Sequence, residues 1–125
     1  MKRIDIYFLL LAVILLIGGV VLGITMAMNK DYQLAPVHAH VNLVGWVSLA
    51  IFGLTYRAFP QLKDTRLAGL HFALAAAAGL AMPYALYRAI VLQSEALAII
   101  ASMLFLAAAV VFLIQLIGIA RAPAD

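Results

Sequence analysis

The chain has 125 residues, of which 68% are hydrophobic and only 10% charged, whereas a soluble domain carries about 45–50% apolar and about 25% charged residues. That is the composition of an integral membrane protein, and at about 20 residues per span the length holds a single domain of a few spans with no separate catalytic domain outside the bilayer. Without cysteine there are no disulfides, iron–sulfur clusters or thiolate sites, so a metal would have to be held by His, Met, carboxylate or backbone oxygen. The net charge of +3 does not imply nucleic acid, because the basic residues sit at span ends and form no patch.

Four apolar segments follow in order, at about 6–28, 37–59, 66–88 and 96–119, predicting an all-α membrane domain of four transmembrane helices. Lys2 and Arg3 precede the first, which is too long for a signal peptide and has no Ala-x-Ala cleavage site. Its Gly19-x-x-x-Gly23 pair is a ridge that lets another helix approach closely. After the polar stretch Asn29-Lys30-Asp31-Tyr32-Gln33, Pro36 suits the first turn of the second helix, which carries His38 and His40 near its start. That helix ends at Tyr56-Arg57-Ala58-Phe59-Pro60, an edge suited to headgroup depth. The third helix is capped by Asp64 or Thr65, is rich in Ala and Gly, and bends at Pro83. Ser94 is a candidate cap for the fourth, and Gln115 is read as facing a neighbouring helix.

Basic residues set the orientation. Lys2, Arg3, Arg57, Lys63, Arg66 and Arg121 fall on one side, Lys30 and Arg88 on the other, so the positive-inside rule puts both termini in the cytoplasm. His38 and His40 then lie near the outer surface, and His71 near the inner one. His40 is roughly 30 Å up its helix from the connecting loop and His71 only about 9 Å, at 1.5 Å per residue, so one haem cannot join them. His71, on an Ala-rich face, reads as a packed, hydrogen-bonded histidine, with a proton path or a second site as the functional alternative.

His38 and His40 point about 200° apart on a regular helix, so they serve opposite neighbours rather than one ion. His38 shares its face with Asn42 and Gly45, where a flat ring has room, and His40 shares its face with Val44, Val47 and Ile51. Ionisable side chains in a span mark function by default, and the two histidines point to a metal or a haem. Asn42 is the residue to orient an imidazole, and Trp46 lies deep enough to pack against a partner or a ring.

The run His38-x-His40, Gly45-Trp46, Phe52-Gly53-Leu54-x-Tyr56 and Pro60 resembles the tenth helix of the catalytic subunit of haem–copper oxidases, the C-type in particular. Pro36-Val37-His38 also resembles that subunit's second helix. The close resemblance covers about 25 of the 125 residues. It implies that His38 and His40 each ligate a haem b, one on each side of the helix, with Gly45 and Trp46 lining the ring and Tyr87 and Arg88 meeting its propionates. The family's copper ligand set has no counterpart here, so the chain is not a complete terminal oxidase. The oxidase core is a ring of three four-helix arcs. A homotrimer of this chain would imitate it, with His38 of one protomer and His40 of the next on one haem; a dimer pairing His40 with its symmetry mate is the other arrangement. The resemblance further implies electron transfer or binding of oxygen or nitric oxide, a respiratory-chain redox partner, and a bacterial inner membrane. Two rival readings are a copper-binding protein using His38, His40, Met26 and Met28, and a cofactor-free accessory or assembly subunit. Otherwise Met26, Met28, Met82 and Met103 read as lipid-facing or gap-filling residues.

Overall fold

The structure, a computed structural model, describes residues 3–121; Lys2, counted above for orientation, lies outside them. Four helices are long and apolar enough to cross a membrane: α1 (Ile4–Asn29), α2 (Ala35–Ala58), α3 (Arg66–Val91) and α4 (Ala96–Ala120). Each begins and ends within three residues of its expected bounds. The largest difference is at the end of α3, which runs on to Val91 before Gln93 turns the chain with a φ of 54°. The Gln93 side-chain amide donates to Ile90 O at 2.9 Å, satisfying a carbonyl that the helix end leaves free. α1 ends in the same way, Lys30 taking a left-handed conformation at φ 52°.

Two caps depart from expectation. Thr65 does occupy the N-terminal cap of α3, but its hydroxyl donates backwards to Leu62 O at 2.9 Å and caps no helical N–H. Glu95, not Ser94, precedes α4, and the Ser94 backbone N–H closes the preceding turn on Arg88 O at 3.1 Å. Between α2 and α3 the loop folds as a short 3-10 turn, Pro60–Asp64.

The helices pair as two antiparallel hairpins, α1 with α2 and α3 with α4, joined where α3 meets α2 and α1. α1 and α4 turn rows of large apolar side chains outward, among them Ile14, Ile17, Val21 and Ile24 on α1 and Ile99, Met103, Leu106 and Leu113 on α4. Such a surface suits lipid, which leaves no driving force to bury it further. α2 and α3 have more of their length buried. Both termini of the described chain lie at one end of the bundle, together with the loop after α2. The other end carries the α1–α2 and α3–α4 loops.

Near the termini, Phe8, Phe52, Tyr56, His71, Phe72 and Phe112 form one aromatic cluster. Phe8 meets Phe72 edge-on at 4.9 Å, and His71 stacks on Phe112 at 5.1 Å. Below it Asp5, in the first turn of α1 and 1% exposed, accepts from Lys63 Nζ at 2.8 Å and from the exposed Arg57 at 3.4 Å. This ties α1 to the end of α2 and its loop. Directly above, Gly53 lets the α1 backbone pass: a Cβ there would stand 2.9 Å from Asp5 O and 3.1 Å from Phe8 Cβ.

Gly53→Ala therefore forces α1 and α2 apart and costs about 1–3 kcal/mol in thermal or denaturant unfolding of the purified protein in detergent. Gly18→Ala, with nothing within 4 Å of the new methyl, leaves the midpoint unchanged. Lys63→Met leaves the Asp5 carboxylate enclosed with only the distant Arg57, and the same measurement loses about 3 kcal/mol, the cost typical of breaking a buried pair.

Candidate functional site

α2 is not a uniform α-helix. Its first turn, Ala35–His40, and its second half, Ser48–Ala58, are α-helical, and the seven residues Val41–Val47 between them form a π-helix. Its buried residues explain the local preference. Val37, Val41, Gly45 and Leu49 all face the core, spaced by four. In an α-helix each step of four advances about 40° around the axis; the wider π turn holds the row on one face. The Ser48 hydroxyl donates to Leu43 O, five residues back, at 2.7 Å. π turns of this kind occur frequently at functional sites.

His38 is half-buried and faces α1. Its Nδ1 lies 2.9 Å from Gly19 O, and because a carbonyl can only accept, Nδ1 carries the proton and Nε2 keeps a lone pair. Asn42 donates through Nδ2 to His38 O at 2.9 Å. The glycine ridge of α1 receives these two side chains: a Cβ on Gly23 would stand 2.9 Å from His38 Cε1, and one on Gly19 would stand 2.8 Å from the Asn42 amide. The ridge thus admits polar side chains of α2 as well as bringing two backbones together.

His40 points elsewhere. It is exposed, and its Nδ1–H donates to Pro36 O at 2.8 Å, which again leaves Nε2 as the free nitrogen. Along its side of the helix the exposed residues are Leu43, Val47, Ile51 and Leu54. Val44, expected on that face, is half-buried and packs against Met82 and Ala85, because the π segment rotates it inward. Gly45 is buried against α1, with Leu15 Cδ1 2.9 Å from where its Cβ would be. Trp46 is half-buried against the core.

Tyr87 and Arg88 stand near the end of α3, at the same end of the bundle as His38 and His40. Tyr87 is 39% exposed; the Arg88 Nε is buried with no hydrogen-bond partner among the described residues. Arg88 makes no ion pair with Glu95, which is exposed. Met26 and Met82 are buried, Met28 and Met103 exposed. Among the described residues no group of three His, Asp or Glu side chains could enclose a metal ion.

His71 belongs to a second polar assembly, and its partners were not paired by sequence reasoning. The ring is fully buried, with Nδ1 3.0 Å from Tyr56 Oη. Tyr56 donates its one proton to Gln115 Oε1 at 2.8 Å, so His71 Nδ1–H is the donor to Tyr56. Gln115 donates through Nε2 to Thr65 Oγ1 at 2.9 Å, and Thr65 to Leu62 O. One chain of hydrogen bonds thus joins α2, α3 and α4, and it runs in one direction from imidazole to backbone. The His71 Nε2 has no partner among the described residues; Phe8, Phe52 and Phe112 surround the ring, Phe52 at 4.6 Å between centroids. On α1, Phe8 marks the depth of His71, while Gly19 and Gly23 mark that of His38. The 11–15 residues between them correspond to roughly 16–22 Å at 1.5 Å per residue, so the two histidine sites are separate. A lone Tyr, a lone Gln and a lone His on three helices give no spacing signal; the only hint was that each is polar within an apolar span.

Comparison of the chain with family models, with curated proteins and with solved structures finds no match.

Tyr56→Phe removes the hydroxyl that serves both His71 and Gln115 and leaves a buried imidazole N–H unpaired. Unfolding in detergent should register a loss of about 1–3 kcal/mol. Adding Gln115→Leu to it should cost less than the sum of the two single changes, since both act on one chain.

Proposed function

We propose that this protein binds haem b in the membrane through His38 and His40, as a small relative of the haem–copper oxidase core. The observation that carries the reading is the state of the two imidazoles. Each has Nδ1–H held by a main-chain carbonyl, Gly19 O for His38 and Pro36 O for His40, which fixes ring orientation and leaves Nε2 unprotonated. Ligating histidines are oriented in this way by their second nitrogen. The surroundings fit a porphyrin as well. His40 heads an exposed apolar row of Leu43, Val47, Ile51 and Leu54, and Arg88, in no ion pair among the described residues, would be a cation for propionates at the same end of the bundle.

His38 turns toward α1 and His40 outward, so a single protomer offers half-sites. A symmetric dimer would pair two outward His40 rings at one depth; in a ring of three, His38 as the partner ligand would have to leave the Gly19 and Gly23 ridge of its own α1 to meet the neighbour's His40. Held by two histidines, the haem would supply one-electron transfer; held by one, it would bind a diatomic gas such as oxygen or nitric oxide. The chain's own part is to hold both imidazoles in one tautomer, to keep water from the ring with the apolar row of α2, and to balance the propionates with Arg88. Both termini then face the cytoplasm of a bacterial inner membrane, by the excess of basic residues at that end.

Copper is the second reading: among the described residues no third His, Asp or Glu joins the pair, and of the two methionines in its ligand set Met26 is buried while Met28 is exposed.

Protein expressed with ample haem should purify with a Soret band that sharpens and shifts on reduction. His40→Ala should lower haem content at least tenfold without changing the unfolding midpoint of the haem-free protein, and His38→Ala should lower it in the same direction. Arg88→Leu should weaken retention but not abolish it. A protein with no Soret band, or a His38→Ala and His40→Ala double variant with full haem, would sink the proposal. Carbon monoxide added to the reduced protein would shift the band only if one of the two histidines can be displaced.

A further inference from the structure

The first half of α2 has two ways to wind, and the structure adopts the rarer one. In a uniform α-helix, at about 100° per residue, His38 lies eleven residues before Leu49 and so points within about 20° of it. His38, Asn42, Gly45, Leu49, Phe52 and Tyr56, spaced alternately by four and three, would then form one continuous face, and its last four members are buried. That register carries an imidazole and an amide into the apolar core. Val41 and Val37, eight and twelve residues before Leu49, would stand about 80° and about 120° away from it, turned out of the core.

The π turn avoids this. Its hydrogen bonds reach one residue further back than those of an α-helix, so the segment Val41–Val47 rotates Ala35–His40 by about one residue, roughly 100°, relative to the second half. Val37 and Val41 take the core positions, 4% and 5% exposed. His38 and Asn42 swing aside onto Gly19 and Gly23, where the imidazole finds Gly19 O and the amide finds His38 O. The widened turn is braced at its end, where Ser48 donates to Leu43 O through both its backbone N–H and its hydroxyl. Both registers share the buried residues from Gly45 onward, so the choice between them decides only how the histidine end of the helix faces.

We propose that the π turn is the positioning device of the histidine pair, and that His38 and Asn42 themselves drive the helix into it. Buried on the alternative face they would lose the carbonyls they now bond, which is costly in an apolar core; two valines in their place cost nothing of the kind. The turn that relieves this cost sets His38 against α1 and rotates His40 with it. The polar pair thus selects the register that aims it. The device concerns the direction of the side chains and stands whatever the imidazoles bind, so failure of the haem reading leaves it intact.

The chain has no cysteine, so thiol labelling of single-cysteine variants in nanodiscs reads the register. Val37→Cys should be protected from maleimide in the otherwise native chain. It should label at least tenfold faster once His38→Leu and Asn42→Leu make the alternative face apolar. Met26→Cys, buried at the same end, should stay protected in both backgrounds, which separates rotation from unfolding. Equal protection of Val37→Cys in both overturns the proposal. A deletion keeps the test decisive if the double variant unfolds. Without Val44, the residues Val37, Val41, Gly45 and Leu49 are spaced by four, three and four, so a uniform α-helix forms the same faces. That variant should keep the native unfolding midpoint and, by nitrogen NMR of labelled histidine, His38 protonated at Nδ1. Deletion of Ala50, in the α-helical half, should lose both. A Val44 deletion as damaging as the Ala50 deletion overturns the proposal.

Discussion

Inside a bilayer a polar side chain has no water to turn to, so it must find its partner within the protein. α2 carries most of the polar groups that meet this requirement across helices, and the other helices are arranged around what it offers. At one end its His38 hydrogen-bonds to the α1 backbone, beside Gly19 and Gly23. At the other end its Tyr56 hydroxyl reaches His71 on α3 and Gln115 on α4 at once. α1 and α4 have few such obligations and show their apolar rows to lipid. The polar bonds give the bundle its register, and apolar packing fills what lies between.

Close approach is the other half of the same requirement. A hydrogen bond of 2.9 Å to Gly19 O requires the His38 ring to lie against the α1 backbone, and only a ridge without side chains allows it. Gly53 and Gly45 do the converse on α2, making room for the α1 backbone and for Leu15. The α1–α2 hairpin is therefore fixed by complementary glycines, two on α1 that accept side chains of α2 and two on α2 that accept α1.

The sequence made the four spans legible because hydrophobic runs of this length admit one structure. It also made legible the separation of His71 from the other histidines, since depth along a helix is arithmetic. The π segment was not legible as such: a row of core residues spaced by four, from Val37 to Leu49, reads as an ordinary amphipathic face unless its drift is followed. That segment turned Val44 inward from the face on which it was expected with His40. Asp5 was passed over because a carboxylate at a span end reads as solvated, whereas Lys63, fifty-eight residues later, folds over it. The Tyr56–His71–Gln115 chain escaped for the same reason. Its members lie 15 and 59 residues apart, and no local period links side chains that meet only through tertiary packing.

All three histidines hold the same form, Nδ1–H donating to Gly19 O, Pro36 O and Tyr56 Oη respectively and Nε2 without a partner among the described residues. What distinguishes them is access. His71 is enclosed by Phe8, Phe52 and Phe112, so its lone pair meets aromatic carbon and its contribution passes through Nδ1 to Tyr56 and Gln115. His38 is half-buried against α1, and His40 is exposed near the start of α2, at the head of an apolar row. The same tautomer therefore has two consequences: at the enclosed histidine it starts a hydrogen-bond chain, and at the exposed one it leaves Nε2 as the open nitrogen.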